Sequence, residues 1–196
     1  MSRPLVPGLI AEGETDEVFL GVVISRQLRE LTAQSSRCAV DVESTEIGAC
    51  RSIYDHGRMT GALRELASDC HLLFVHNDHR ERDKADRVVR DSGLPTPVIA
   101  LVPVQETEAW LLADAGVWRR LSGSDHGRLP ARPRDVEKIA DPKKTLAEVA
   151  PRRGKPVRDY FEYIARNIDL DVLAQVPAYA DWVSDARNAL KGLGYL

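Results

Sequence analysis

Residues 8–20 read GLIAEGETDEVFL, and this stretch sets the fold of the first half of the chain. The apolar run over residues 5–11 predicts a buried strand. An acid and a glycine, Glu12 and Gly13, end the run, and Gly13 is expected to supply unusual backbone angles at the turn. Apolar residues then recur at helical spacing over 15–31. The stretch therefore predicts a strand that turns directly into a helix.

The same strand-then-helix pattern repeats as far as about residue 115. Further strands are expected at 39–42, 71–76 and 97–104, and further helices at 60–67, 84–91 and 105–114. Continuous apolar strands are typical of parallel sheets that are covered on both faces. Alternation of strands and helices favours a layered α/β arrangement. We therefore predict an α/β fold with a mostly parallel central sheet flanked by helices.

The second part of the chain has a different pattern. Residues 122–134, SGSDHGRLPARPR, are rich in glycine, proline and arginine, which predicts a loop or linker. Helical spacing returns at 145–149, 158–167 and 178–190, without a strand pattern between them. The expected organisation is an α/β core over residues 1–121, followed by a linker and a helical C-terminal extension over 122–196 that packs on the core.

Composition and charge limit the classes of function. The chain of 196 residues is 43% hydrophobic and 29% charged, as in ordinary globular proteins. Its net charge of -3 excludes a general polycation, so contact with nucleic acid requires a local basic patch or metal ions. No apolar run reaches the ~20 residues that span a bilayer, and the N-terminus lacks the apolar core of a signal peptide. Membrane contact is therefore not expected. The three scattered cysteines argue against a disulfide framework and a cysteine zinc site, which favours a cytoplasmic protein.

Acidic residues follow two of the expected strands. Glu12 ends the first strand, and Asp78 comes directly after the strand at 71–76. If these strands are neighbours, both acids converge at the carboxyl edge of the sheet, where ligands of such sheets bind. Mg²⁺ prefers oxygen ligands and requires only one or two protein carboxylates. A turn role for Asp78, in which it hydrogen-bonds its own backbone, explains the sequence equally well.

Other acids lie at the starts of two expected helices. Glu14, Asp16 and Glu17 are explained by the positive end of the helix dipole, which favours each exposed acid by ~0.3–1 kcal/mol. Glu106 and Glu108 follow the last expected strand, so either could reach the same sheet edge. We favour Glu108 as a third acidic contributor, followed by Glu106. The alternative for both is an acid on the solvated face of a helix start.

Several of these stretches resemble motifs of Toprim domains. AEGETDEVFL at 11–20 looks like the first motif, in which a hydrophobic strand precedes Glu-Gly-x-Thr-Asp and a helix. LLFVHND at 72–78 looks like the second, a strand that ends in an Asp-x-Asp signature. PVQETEAWLLAD at 103–114 and DPKKTL at 141–146 resemble later elements of an uncharacterised bacterial branch, related to overcoming-lysogenization-defect nucleases and abortive-infection components. The resemblance covers roughly residues 5–150.

The resemblance implies a Toprim-like Rossmannoid fold and Mg²⁺- or Mn²⁺-dependent cleavage of phosphodiesters in DNA or RNA. It implies that Glu12 binds a metal or acts as general base or acid, and that Asp78 is the metal-binding acid of the Asp-x-Asp pair; a second metal could be shared with Glu108 or Asp83. Lys143 follows a proline that fixes the backbone before it, and we expect it to hold a substrate phosphate or a transition-state oxygen. Related bacterial proteins often accompany ATPases in defence cassettes, which suggests an ATPase partner and a role in phage defence.

The second motif departs from the family pattern, because only one aspartate of the Asp-x-Asp pair is present. If Asp78 is the first acid of the pair, the partner position holds Arg80. If Asp78 is the second acid, the partner position holds His76.

The missing aspartate leaves several interpretations open. Glu81 or Asp83 could supply the carboxylate, or His76 or His79 could bind a softer cation such as Mn²⁺. Alternatively, the chain is a catalytically impaired Toprim-like subunit that binds within a larger complex. A different phosphate chemistry, such as nucleotide hydrolysis, is disfavoured because the sequence contains neither GxxxxGK[ST] nor GxGxxG.

Overall fold

The computed structural model describes residues 2–33, 35, 39–50, 55–78, 82–151, 156 and 158–196. His79, Arg80 and Glu81, three of the alternative site residues considered above, lie outside the described residues.

A parallel sheet forms the centre of the fold. The described strands are β1 (Arg3–Leu5), β2 (Pro7–Ile10), β3 (Val40–Val42), β4 (Glu46–Ile47), β5 (Leu72–His76) and β6 (Val98–Leu101). The main sheet has the order β4-β2-β5-β6, and β1 pairs separately with β3. Each of these pairings is parallel. The predicted α/β class with a mostly parallel sheet is therefore confirmed, and so is the predicted neighbourhood of the strands that precede Glu12 and Asp78.

The strand expected over residues 5–11 is interrupted at Val6, which separates β1 from β2. Pro7 begins β2, and because proline has no N–H to donate, it is tolerated at the start of a strand. The backbone N–H of Val6 donates to Nδ1 of His71 at 3.0 Å. Its carbonyl accepts the backbone N–H of His71 at 2.8 Å. One histidine thus satisfies both polar groups at the interruption.

Helices make up most of the remaining structure. They are α1 (Glu14–Ala33), α2 (His56–Ala67), α3 (Arg82–Asp91), α4 (Thr107–Leu111), α5 (Ala115–Arg119), α6 (Pro142–Val149), α7 (Asp159–Asn167), α8 (Leu170–Leu173) and α9 (Pro177–Gly192). Short 3₁₀ turns at His126–Arg128 and Pro133–Lys138 lie in and just after the segment expected as a linker. The expected helical C-terminal part is present. None of the described helices has both the length and the apolar character needed to cross a membrane.

Helices cover both faces of the sheet and form two hydrophobic clusters. Ile10, Leu73 and Val75 point to the face covered by α2 and α3. Leu9 and Phe74 point to the opposite face, which is covered by α1 and continues into α4 to α9. Residues from both the expected core and the expected extension therefore belong to one hydrophobic cluster.

The chain changes direction across the sheet between β2 and β5. It leaves β2 through α1 towards β4 at one edge, and α2 then brings it back past β2 to β5. Right-handed connections in the two directions place α1 and α2 on opposite faces. The carboxyl ends of β2 and β5 consequently border a crevice, and in open α/β sheets this is the position where ligands bind.

Candidate metal centre at the sheet edge

The two acids that follow β2 and β5 meet at this crevice. The strands are paired so that Ile10 lies opposite Val75, which brings the residues beyond them to the same edge. The backbone N–H of Asp78 donates to Oε2 of Glu12 at 3.1 Å. Two of the residues singled out in the sequence are therefore in direct contact. Glu12 is exposed at the rim, whereas the side chain of Asp78 is only 13% exposed.

His76 joins them because side chains alternate along a strand. Leu72 and Phe74 of β5 belong to the cluster on the α1 face, so His76, two residues further, lies on the same face. Its side chain is fully buried, and Nε2 lies 3.3 Å from Oδ1 of Asp78. The last residue of the strand thus presents an imidazole beside the carboxylate.

Asp16 enters the crevice from the first turn of α1. It shares a helical face with Phe19, Leu20 and Val23, which are buried against the sheet. Asp16 extends this buried stripe beyond the edge of the sheet and is only 5% exposed. The helix dipole accounts for the exposed Glu14, but it does not explain why Asp16 is buried.

Gly13 makes room for Asp16. The expectation of unusual backbone angles at Gly13 is wrong, since the positive φ values of the described glycines occur elsewhere, at Gly93, Gly123 and Gly194. A Cβ atom at Gly13 would instead lie 2.8 Å from Oδ2 of Asp16. The glycine therefore allows the close approach of the carboxylate, which a Cβ atom would displace.

Asp16, His76 and Asp78 form the group of ligand atoms that could hold one ion. One atom from each lies within 4.8 Å of the others, and no further such group occurs among the described residues. We call these three residues the ligand cluster. Of the four metal ligands expected from the sequence, Asp78 belongs to it. Glu12 lies at the rim, and Asp83 is exposed in the first turn of α3, outside the group.

Thr107, the first residue of α4, binds two members of the ligand cluster. Its backbone N–H donates to Oδ1 of Asp78 at 3.0 Å. Its hydroxyl lies 2.9 Å from Nε2 of His76 and 3.4 Å from Oδ1 of Asp78. Thr107 is completely buried, so these contacts fix the relative position of the two side chains.

The pKa values of the two carboxyl groups in the ligand cluster are shifted in opposite directions. Burial raises the pKa of Asp16, and the charge of Asp78 acts in the same direction, although His76 and Thr107 oppose the shift. Burial alone would raise the pKa of Asp78 as well, but its contacts with His76 and Thr107 outweigh burial and lower it. A second negative charge beside Asp78 is therefore unfavourable without a cation.

Glu108 is a fourth buried acid beside the cluster. It is 5% exposed, and within the described part of the chain its Oε2 has no hydrogen-bond partner. Burial raises its pKa to about 7, and the charges of Asp16 and Asp78 contribute to that shift. Glu108 lies outside the ligand cluster, so its preference over Glu106 as a further metal-binding acid stays a prediction.

Lys143 brings a positive charge to the same edge. Asp141 caps α6 by accepting the backbone N–H of Lys144 at 2.8 Å, and Pro142 occupies the first helical position. Nζ of Lys143 donates to Oε1 of Glu106 at 2.9 Å. Burial would lower the pKa of Lys143, but the bond to Glu106 and the charges of Glu108 and Asp78 raise it.

The donor set fits a divalent cation. Two carboxylates and an imidazole are the donor types that bind Mg²⁺, Mn²⁺ and other divalent ions in proteins. The charges of Asp16 and Asp78 both act to raise the pKa of Glu108, and its buried Oε2 has no hydrogen-bond partner among the described residues, so this edge holds an excess of acidic groups over Lys143. A divalent ion at this position would remove the excess.

Sequence reasoning missed Asp16 and Thr107 as site residues. The signal for Asp16 was available, because it precedes Phe19 and Val23 by three and seven residues, on the buried face of the helix. Thr107 carried no comparable signal. Compared with known proteins, the chain matches no family model, no curated protein and no solved structure. What the site can do is therefore inferred from its own residues.

Proposed function

We propose that this protein is a divalent-metal-dependent nuclease that hydrolyses phosphodiester bonds in DNA or RNA. The observation that carries the proposal is the ligand cluster of Asp16, His76 and Asp78, whose donor atoms lie within 4.8 Å at the carboxyl ends of two parallel strands. Such strand ends are where open α/β sheets bind their ligands.

The ligand cluster would hold a divalent ion, Mg²⁺ or Mn²⁺. When bound, the ion supplies activation of water and stabilisation of negative charge on the phosphate. Thr107 keeps Asp78 and His76 in position through contacts of 3.0 Å and 2.9 Å. Glu12 accepts a hydrogen bond from the backbone N–H of Asp78 and is exposed to solvent, so its carboxylate can accept a proton from an attacking water.

Two further residues have roles in this proposal. Glu108 has a pKa raised to about 7, which suits a group that donates a proton to a leaving oxygen near neutral pH. Lys143 is 59% exposed and bonded to Glu106, so its ammonium can leave that partner for a substrate phosphate. A lysine acts on phosphate as a point charge.

The resemblance to Toprim-like proteins extends the proposal to partners and biology. The stretch that resembles motif one, Glu-Gly-x-Thr-Asp, contains Glu12, Gly13 and Asp16, which in this proposal are the rim acid, the residue that leaves space and a metal ligand. By the same resemblance we propose an ATPase partner, a cytoplasmic location and a role in phage defence.

A second candidate is a binding subunit that has lost turnover. It is favoured by the short distance of 3.3 Å between Nε2 of His76 and Oδ1 of Asp78, which allows a protonated His76 to neutralise Asp78 without any metal. In that case the protein would bind nucleic acid equally well with and without a chelator.

Glu12→Gln tests the enzymatic proposal. The amide keeps the oxygen that accepts the Asp78 N–H but removes the charge. Because Glu12 is exposed, we expect little loss of stability, while cleavage of labelled single- and double-stranded DNA and RNA in Mg²⁺ or Mn²⁺ should fall by about 10²-fold or more. Cleavage and the thermal unfolding midpoint are measured on the same preparations.

Glu43→Gln is the matched control, since Glu43 is an exposed acid next to β3 and away from the ligand cluster. It should cleave like the wild type. Cleavage by the wild type in excess chelator would reject metal dependence, and full activity of Glu12→Gln would reject the role given to Glu12.

A further inference from the structure

We propose that the ligand cluster selects a first-row transition-metal ion over Mg²⁺, and that the imidazole of His76 is the ligand responsible. The inference rests on the metal site proposed above and adds the class of ion that it holds. It follows from one residue, since the remaining donors of the cluster are carboxylates.

The donor set is mixed rather than all oxygen. Asp16 and Asp78 supply carboxylate oxygens, which suit Mg²⁺, Ca²⁺ and Mn²⁺. His76 supplies an imidazole nitrogen within 4.8 Å of both, and imidazole suits transition metals. Mg²⁺ is a hard cation that takes oxygen ligands and keeps several waters, so it gains least from the nitrogen.

The buried position of His76 limits the groups that its imidazole can contact. Its side chain is fully buried at the end of β5, and it is held beside Asp78 by the strand itself. Nδ1 has no hydrogen-bond partner among the described residues. The contact of Nε2 with the Thr107 hydroxyl, at 2.9 Å, allows this nitrogen to donate or to accept, because a hydroxyl does both. The described residues therefore do not fix either ring nitrogen as a donor.

A second observation points to a cation at this position. Oε2 of Glu108 is buried and unsatisfied within the described chain, and the charges of Asp16 and Asp78 both act on this carboxyl group. Asp16 and Glu108 are buried and the side chain of Asp78 is 13% exposed, and Lys143, whose charge acts on all three carboxyl groups, is bonded to Glu106. An ion that accepts a nitrogen ligand and carries two positive charges fits both the donors and the charge.

The first test uses the wild-type protein with each metal alone. Calorimetric titration with MnCl₂ and with MgCl₂ should give a Kd for Mn²⁺ lower by on the order of tenfold or more, the scale on which ligand environments change metal affinity. Pulsed electron paramagnetic resonance of bound Mn²⁺ should show coupling to the ¹⁴N of a directly bound imidazole.

The second test changes the donor. His76→Asp converts the cluster to oxygen ligands, so the nitrogen coupling should disappear and the preference for Mn²⁺ over Mg²⁺ should fall by about tenfold. His126→Asp is the matched control, because His126 is exposed in a 3₁₀ turn; it should retain both the preference and the coupling. Circular dichroism checks that His76→Asp is folded.

The outcomes separate this inference from the nuclease proposal. Mn²⁺ binding without nitrogen coupling, or equal affinity for the two ions in the wild type, overturns the inference and leaves metal-dependent cleavage standing. If neither ion binds, both are overturned. If His76→Asp does not fold, the wild-type affinity ratio and the nitrogen coupling decide the matter.

Discussion

At the scale of single residues, Asp16 and Asp78 show how two aspartates in one site acquire opposite properties. Both are shielded from solvent, yet Asp78 accepts the Thr107 N–H and contacts His76, whereas burial dominates at Asp16. In a folded protein without metal, the charge on Asp16 is therefore unfavourable. The pKa of Asp16 is raised in the folded protein above its value of 3.8 in the unfolded chain. The stability that Asp16 contributes is therefore fully present below pH 3.8 and is lost as the pH rises through the raised pKa.

We expect Asp16→Asn to separate stability from metal binding. In a chelator at neutral pH, the variant should unfold at the same temperature as the wild type or higher, because a disfavoured charge is removed. A gain of about 1 kcal/mol would appear as an increase of about 2–4 °C. With Mn²⁺, the wild type should gain stability and the variant should not. Differential scanning calorimetry with and without metal measures both effects.

Gly13→Ala is the complementary variant, because it keeps every charge. The added Cβ would lie 2.8 Å from Oδ2 of Asp16 and would force this flexible side chain to move. Metal affinity should fall while the metal-free unfolding temperature changes little.

A metal-free Asp16→Asn protein that is clearly less stable than the wild type would show that Asp16 has a structural role without metal.

Lys143→Ala tests the proposed phosphate contact. Losing one lysine–phosphate contact should weaken nucleic-acid binding and reduce the slope of log K against log salt by about one. Metal affinity should survive, since lysine is not a ligand. Binding titrations at several salt concentrations provide the slope. Lys144→Ala is the control, because this neighbouring lysine of α6 is also exposed. Equal slopes for the two variants would leave Lys143 as an ordinary surface residue.

Part of this site could be predicted from the sequence. Glu12 and Asp78 follow apolar runs, and parallel strands bring their carboxyl ends to one edge, so their contact follows from topology. The burial of Asp16 depends on which face of α1 meets the sheet, and the contacts of Thr107 depend on where α4 begins after β6. These last two features are set by packing between distant segments and leave only a weak local pattern.

At the scale of elements, α1 and α7 are joined through one arginine. Arg26 of α1 donates from Nη1 to the carbonyl of Ala165 at 2.6 Å and from Nη2 to the carbonyl of Ile168 at 2.8 Å. These carbonyls belong to the end of α7, where a helix lacks internal donors and its dipole is negative. A side chain of the sheet-covering helix therefore supplies the cap of a helix in the C-terminal part.

Arg26→Met should destabilise the protein by about 1.5–3 kcal/mol, the range for hydrogen bonds to charged groups. Methionine retains much of the apolar stem but leaves the two carbonyls without this donor. Urea unfolding at equilibrium measures the change. Arg64→Met, an exposed arginine of α2, is the control and should change stability by less than about 0.5 kcal/mol. Equal midpoints for the two variants would contradict the capping role.

Elements with a clear apolar pattern could be predicted, and elements without one could not. The helix expected over 15–31 corresponds to α1, and the strand expected over 71–76 corresponds to β5, because long apolar patterns dominate local preferences. In contrast, β4, α5 and α8 have two to five residues and no periodic pattern of their own. Asp114 illustrates what holds them: it caps α5 by accepting the Gly116 N–H at 2.7 Å and also accepts the Asp169 N–H at 3.1 Å, just before α8.

At the scale of the whole molecule, the two ends of the described chain are joined. The ring of Tyr195 is completely buried, and its hydroxyl donates to the carbonyl of Pro4 at 2.7 Å. The guanidinium of Arg3 lies 3.9 Å from the centre of the same ring and donates to the carbonyl of Leu193 at 3.0 Å. The first strand and the residues that follow the last helix therefore stabilise each other.

This closure predicts one cooperative unfolding transition rather than two. Tyr195→Phe should cost about 1 kcal/mol for the lost hydrogen bond, and Tyr195→Ala about 3–5 kcal/mol for the emptied site. Far-ultraviolet circular dichroism and tryptophan fluorescence should report the same midpoint in each protein. Separate midpoints would instead show that the segment after residue 121 unfolds independently of the α/β part.

The ligand cluster has a consequence for how long the protein survives. Asp16 and His76 are separated along the chain by α1, β3, β4 and α2, so an unfolded chain holds them together only at the entropic cost of closing a long loop. A bound ion therefore stabilises the native state almost exclusively, by an amount that grows with the free ion concentration. Proteases that attack the transiently opened chain then degrade the metal-free protein first. Where the proposed metal site is loaded, we expect the abundance of the protein in a cell to follow the supply of the ion as well as the rate of synthesis.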